Sequence, residues 1–221
     1  MTYLEFLEVY GGRLIDGTIV TVYQFLLATV VAVAIALAFG LMRLSRNLVI
    51  RSVAVAYIEF FRGTSLVVQL FWIFFVLPLF GVTLDKFTAG FLAVGLNMGA
   101  YGAELVRGAV LAVPKGQWEA ALALNMASHN RMRRIILPQA FIIMLPPWGN
   151  LIIEILKGTA LVALIAVADL MFEVRQINIT TFLSAEAFGT AIVIYYVIAR
   201  FFVTPTMRGA ERLMNRRIGK A

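Results

Sequence analysis

The chain has 221 residues, of which 62% are hydrophobic and 14% charged, with a mean hydropathy of +0.91. A soluble domain carries roughly a quarter charged residues, so the composition excludes one and indicates an integral membrane protein. The absence of cysteine removes disulfides, thiolate metal sites and cysteine nucleophiles. The net charge of +7 could suggest a nucleic-acid partner, but the cations fall between apolar segments rather than in one patch.

Met1 to Asp16 is polar, carries Glu5, Glu8 and Asp16, and lacks a basic leading region, so it does not resemble a cleaved signal peptide. Five segments then have the apolarity and length to cross ~30 Å of hydrocarbon at ~1.5 Å per residue. They are approximately residues 18–41, 63–83, 87–109, 148–168 and 187–207. Between the first two lie Arg43, Arg46 and Arg51, and an interfacial stretch from Asn47 to Arg62 offers Tyr57, Phe60 and Phe61 as interface anchors. Small residues on the third segment, Gly90, Gly95, Gly99, Ala100 and Gly102, allow close helix packing. Lys115, Arg131, Arg133 and Arg134 separate the third and fourth segments, and Arg208, Arg212, Arg216, Arg217 and Lys220 follow the fifth. The acids Glu5, Glu8, Asp16, Asp85, Asp169, Glu173 and Glu186 occupy the alternate sides. Because the Lys/Arg bias sets orientation, the expected architecture is an all-α membrane protein of five helices. It is a single transmembrane domain, 1–221, with the N-terminus outside and the C-terminus inside.

The region 113–140 is a polar, basic island on the inner side. Pro114 breaks the chain, and Trp118, Ala121, Leu122, Leu124 and Met126 form a short amphipathic helix whose alanines, Ala120, Ala121 and Ala123, permit close approach by another surface. At Asn125 the pattern turns, since asparagine tolerates a left-handed backbone best after glycine. A second helix with Arg131, Arg133 and Arg134 follows, and Pro138, Pro146 and Pro147 predict a kink on the way back to the membrane.

Glu119-Ala120-Ala121, then Asn125, then Ile135-Ile136-Leu137-Pro138 resembles the EAA loop of ABC importer permeases, in particular the polar amino-acid branch (histidine, glutamine, arginine, opine). Asn125 stands where that family has glycine. The resemblance extends to Asp16-Gly-Thr-Ile-Val-Thr21, to Tyr57 through Leu70 with Ser65 where proline is usual, to Tyr101 through Gly108, and to Gly149 through Leu161. It implies a type I importer-like fold with two short cytoplasmic coupling helices docked on a cytoplasmic ATPase dimer. A second permease subunit, identical or homologous, and an extracytoplasmic solute-binding protein complete the assembly, in a bacterial inner membrane. Glu119 would anchor the coupling helix, Ala120 and Ala121 would make the close contacts, and Asn125 would form the turn. Ile135, Leu137 and Pro138 complete the register, and Arg131, Arg133 and Arg134 would meet ATPase acids or anionic lipid heads. The solute class implied is polar amino acids or related zwitterions, including ectoine-type compatible solutes.

Glu59 with Arg62, and Glu104 with Arg107, are spaced i, i+3 and read as structural ion pairs. Glu154 and Lys157 sit inside the fourth segment, where an unpaired charge costs at least ~2.5–3.5 kcal/mol, so they are expected to face the interior of the permease dimer, as an ion pair or as part of the solute pathway. The family resemblance supports Lys157 more than Glu154, and Gly158 stands where an acid often follows. His129, the only histidine, lies in the polar loop and reads as a surface residue. No Gly-x4-Gly-Lys-Ser/Thr occurs, so the chain lacks a P-loop. It is expected to have no catalytic residue, metal site or cofactor, with ATP bound by the partner subunit. The rival readings are an ATPase-independent channel or ion-coupled carrier, which leaves the EAA register unexplained, and a membrane scaffold.

Overall fold

The computed structural model describes residues 2–218, and the side chains of residues 2–214. Arg216, Arg217 and Lys220, counted above among the inward cations, lie outside the described side chains. The described residues contain no strand.

Helix α1, Tyr3–Arg43, opens with a capping box. The Thr2 hydroxyl accepts from the Glu5 amide at 3.4 Å, and the Glu5 carboxylate accepts from the Thr2 amide at 2.8 Å. At 41 residues the helix is ~60 Å long, about twice the hydrocarbon thickness, so its polar N-terminal turns project beyond the membrane. The remaining helices are α2 (Leu48–Gly63), α3 (Leu66–Phe80), α4 (Lys86–Leu111), α5 (Lys115–Ala123), α6 (Ser128–Ile165), α7 (Leu170–Thr181) and α8 (Ser184–Met214, continuing helically to Ile218).

Four of these, α1, α4, α6 and α8, are long and apolar enough to span a membrane, and α2 with α3 passes the same test only as a bent pair, a broken span or a re-entrant loop. The second segment differs from the sequence expectation. Two helices meet at Thr64–Ser65 with a bend of 105°, and the expected span over 63–83 is helical only over Leu66–Phe80. Over residues 135–148, α6 stays helical through Pro138, Pro146 and Pro147. A wide π turn over Met132–Ile136 opens the hydrogen-bond ladder just before Pro138, which cannot donate to it.

The bundle is held by α1 against α4. Ala28, Ala32 and Ala36 are fully buried there, and a Cβ on Gly95 or Gly99 of α4 would stand 2.6 Å from the side chain of Val31 or Ile35. Small residues on both helices bring the backbones together, which replaces the hydrophobic driving force that lipid cannot supply. Around this seam the core collects Phe25, Leu70, Val94, Ile155 and Leu156 from α1, α3, α4 and α6. Separate clusters lie at the two ends: Val110, Val113, Ile136 and Ala140 by the polar loop, and Phe6, Leu14, Leu170 and Ile177 at the other.

Candidate functional site

Two places carry chemistry, the polar loop and a hollow at the break in the second span. In the loop, α5 ends by turning back on itself. The amides of Leu124, Asn125 and Met126 donate to the carbonyls of Ala120, Leu122 and Ala121 at 3.1, 2.9 and 3.1 Å. Asn125 takes φ 50°, the left-handed conformation in which glycine or asparagine is least strained.

Glu119 and Ala120 are exposed, as are Leu122 (56%) and Leu124 (74%), so α5 presents an acidic and apolar edge to its surroundings. Ala121 departs from its expected place. It is 2% exposed and faces its own chain, so its small size serves packing inside the loop, and Ala120 and Ala123 are left as the small residues at the surface. Arg131 also departs from expectation. Arg133 and Arg134 are exposed, but Arg131 is 8% exposed, drawn inward over the Trp118 ring. Ile136 is fully buried and Ile135, Leu137 and Pro138 are half-buried where α6 leaves the loop, while His129 is exposed.

The break at Thr64–Ser65 removes the helical partner of the Phe61 carbonyl, since the chain leaves the helix before Ser65 can donate to it. Inside a membrane that carbonyl needs another donor. Gln69 Nε2 and Asn97 Nδ2 supply it, at 3.0 and 2.9 Å, and Asn97 Nδ2 also donates to Gln69 Oε1 at 3.0 Å. Gln69 and Asn97 are buried, and neither stood out in the sequence. A glutamine and an asparagine in apolar helices 28 residues apart were the available signal.

The start of α3 has no side-chain cap, so its first amides are unclaimed. Ser65 and Leu66 at that start line a hollow of about 420 Å³ together with Thr64, Asn97, Tyr101, Leu151 and Glu154. A second hollow of about 380 Å³ shares Tyr101, Leu151 and Glu154 and adds Arg62, Glu104 and Asn150. Glu154 therefore belongs to both. Lys157 Nζ donates to Glu154 Oε1 at 2.7 Å but lines a third hollow with Met171, Phe188 and Tyr195. The two side chains are 63% and 56% exposed for Lys157 and Glu154, so they lie on an uncovered face of the chain rather than in its packed core.

Of the two expected i, i+3 pairs one forms and one does not. Arg107 donates to Glu104 at 3.0 Å, and Arg43 of α1 joins the same carboxylate. Glu59 and Arg62 do not pair. Glu59 lies 3.9 Å from Arg43, and Arg62 sits 5.5 Å over the Tyr101 ring at the last turn of α2. A cation on α1 and an aromatic face on α4 compete successfully with the same-helix partner, because an exposed i, i+3 pair is worth only ~0.5 kcal/mol.

The profile of the family described as "Binding-protein-dependent transport system inner membrane component" matches residues 32–218. A probable amino-acid ABC transporter permease protein, y4tF, of Sinorhizobium fredii is 43% identical over 196 residues, covering 86% of this chain and 82% of that protein. The L-cystine transport system permease protein TcyB of Bacillus subtilis is 37% identical over 98% of this chain and 91% of its own length. The glutamine transport system permease protein GlnP of Escherichia coli is 36% identical over 91% and 93%. Among solved structures, an amino acid ABC transporter crystallised with histidines superposes with a TM-score of 0.86 at 36% identity and 99% coverage of both chains. The MetNI methionine ABC transporter, inward facing, superposes at 0.81 with 17% identity, which speaks to fold alone. The chain belongs to the binding-protein-dependent inner-membrane transport component family. It is the membrane-embedded permease subunit of an amino-acid ABC importer, multi-pass in the inner membrane, and a separate ATPase subunit of that importer hydrolyses the ATP.

Proposed function

We propose that the hollow at the broken span receives the backbone groups of a zwitterionic amino acid. The observation that carries this is the meeting, in one hollow, of Ser65 and Leu66 at the uncapped start of α3 with Glu154. Half-helix N-termini at mid-depth favour an anionic carboxylate, and Glu154 offers a counter-charge to the ammonium. Lys157 holds Glu154 in place through their 2.7 Å hydrogen bond and releases it as solute arrives. Polar side chains of the solute reach Asn97, Thr64 or Tyr101, and the second hollow, with Arg62 and Glu104, continues the route toward the polar loop.

In the same reading the loop faces the cytoplasm. The exposed edge of α5, Glu119, Ala120, Leu122 and Leu124, lies in a groove of the ATPase, with Arg133 and Arg134 beside it. Two permease chains, a binding protein on the outer face and the ATPase pair form the importer, and this chain itself carries no cofactor. ATP binding draws the two loops together and tilts the spans between inward- and outward-open states.

The test is uptake by the reconstituted importer. Glu154→Gln keeps the side-chain shape and removes the charge. It should raise the solute concentration needed for half-maximal uptake roughly 10- to 100-fold, the worth of a hydrogen bond to a charged group, at unchanged abundance. Unchanged apparent affinity in Glu154→Gln would reject the hollow as the solute site. Lys157→Met separates the roles: normal uptake at normal abundance would show that Glu154 needs no escort.

A further inference from the structure

Arg131 is a buried cation without an acidic partner. It is 8% exposed, its Nε finds no acceptor among the described residues, and no carboxylate pairs with it there. Burying an unpaired charge is costly, so something must offset it. The guanidinium lies 5.8 Å from the centroid of the Trp118 ring, within the range at which the negative face of an indole attracts a cation. Trp118 belongs to α5 and Arg131 to the head of α6, so the contact crosses the polar loop from one arm to the other.

A second cross-link lies beside it. Gln139 Nε2 donates to Gln117 Oε1 at 3.3 Å and to the Ile135 carbonyl at 3.0 Å. Arg131 and Gln139, two four-residue intervals apart on α6, thus meet the adjacent residues Trp118 and Gln117 on α5. Beneath them Trp118, Met132 and Ile135 pack on the buried side chains of Val113, Ile136 and Ala140, and Ala121 is buried as well. A force applied to the exposed edge of α5 can enter the bilayer through α6, which runs unbroken from Ser128 to Ile165 and carries Glu154. It can do so only if α5 and α6 turn together.

We propose that Arg131 and Trp118 form a strut that locks α5 to the head of α6, so that the loop moves as one lever with the fourth span. The inference rests on the docking reading above. Arg131 is then a positioning residue that acts through Trp118 and touches neither solute nor ATPase. This separates it from Arg133 and Arg134, which face outward. Loosening the strut would leave the ATPase bound and active while its motion is lost within the loop.

The experiment uses the complete importer, permease with its ATPase and binding protein, in liposomes, measuring solute import and binding-protein-stimulated ATP hydrolysis on the same preparation. Arg131→Met is expected to keep the ATPase through purification and to keep hydrolysis, but to import about 2- to 30-fold less solute per ATP, the span a cation–π contact covers. Trp118→Leu removes the same contact independently and should do the same, with the double variant no worse than either single one. Trp118→Phe keeps an aromatic face and Arg131→Lys keeps the charge, so each should recover most of the import per ATP. In the chain's cysteine-free background, Gln117→Cys and Gln139→Cys joined by a short bifunctional maleimide should restore import per ATP to Arg131→Met. A variant that was merely unstable would not be rescued this way. Unchanged import per ATP in both Arg131→Met and Trp118→Leu would overturn the strut. Loss of the ATPase from Arg131→Met but not from Trp118→Leu would overturn it too, since Arg131 would then contact the ATPase directly. A wild-type permease that retains no ATPase would instead overturn the docking reading.

Discussion

Asn97→Leu tests whether the break in the second span is held by side chains from elsewhere in the chain. Asn97 is 3% exposed and donates to both the Phe61 carbonyl and Gln69 Oε1. Leucine keeps the volume and removes both bonds. Phe61 retains its bond from Gln69 Nε2, so one bond is lost there at about 0.5–1.5 kcal/mol, while Gln69 Oε1 is left buried without a donor at about 1–3 kcal/mol. The expected loss is therefore about 1.5–4.5 kcal/mol. The thermal midpoint of the purified permease without solute, followed by loss of monodisperse protein, should fall by about 2–4 °C for each of those kcal/mol. Gln69→Leu should cost a similar amount, and because the two side chains share the Phe61 carbonyl, the double variant should fall short of the sum by about 0.5 kcal/mol or more, as a network requires. A wild-type midpoint for Asn97→Leu, or strict additivity of the two, would refute the account of the break.

Asp169 caps α7, accepting from the Phe172 amide at 2.9 Å, but its other oxygen has no partner among the described residues, and burial raises its pKa to about 7. A raised carboxyl pKa means the folded chain binds the extra proton between about pH 4 and 7, so stability falls as pH rises through that window, by roughly 4 kcal/mol at most. The substitution Asp169→Asn keeps the capping acceptor and should flatten that slope; a steep slope persisting in thermal midpoints between about pH 4.5 and 7.5 would assign it elsewhere. Ala120→Arg should leave abundance intact and lower ATPase copurification about tenfold or more, because a bulky charge cannot enter a groove shaped for a small residue, whereas Ala121→Arg should lower abundance itself, since that position is inside the loop; normal copurification of Ala120→Arg would contradict the docked edge. Single cysteines at Thr2 and Asp85 should react with an impermeant maleimide from outside and those at Ser45 and Ser128 should not, and external labelling of Ser128 would reverse the orientation.

The four long apolar helices, the polar island between the third and fourth segments, and the turn at Asn125 were legible in the residues alone. Each rests on local physics. A span is a run of apolar residues long enough to cross hydrocarbon, and a left-handed turn needs a residue that tolerates φ of 50°. The small residues at Gly95, Gly99 and Gly102 likewise marked a close-packing face before its partner was known. The class of solute rested on the loop register and its resemblance, which local sequence also carries.

What tertiary structure decided were pairings between distant positions. Thr64–Ser65 breaks the second span because Gln69 and Asn97 can replace the lost helical bond to Phe61, and Asn97 comes from another helix. Glu59 lies near Arg43 and not Arg62, because the approach of α1 placed a cation within reach. Ala121 turned inward and Ala120 outward on a nine-residue helix whose periodicity is too short to fix its facing. Arg131 resembles Arg133 and Arg134 in composition and spacing, yet only Arg131 meets the face of Trp118. A sequence states which groups need partners, but where several candidates exist the packing of the α1–α4 seam and the fold of the loop choose among them, since that choice depends on distances no local pattern contains.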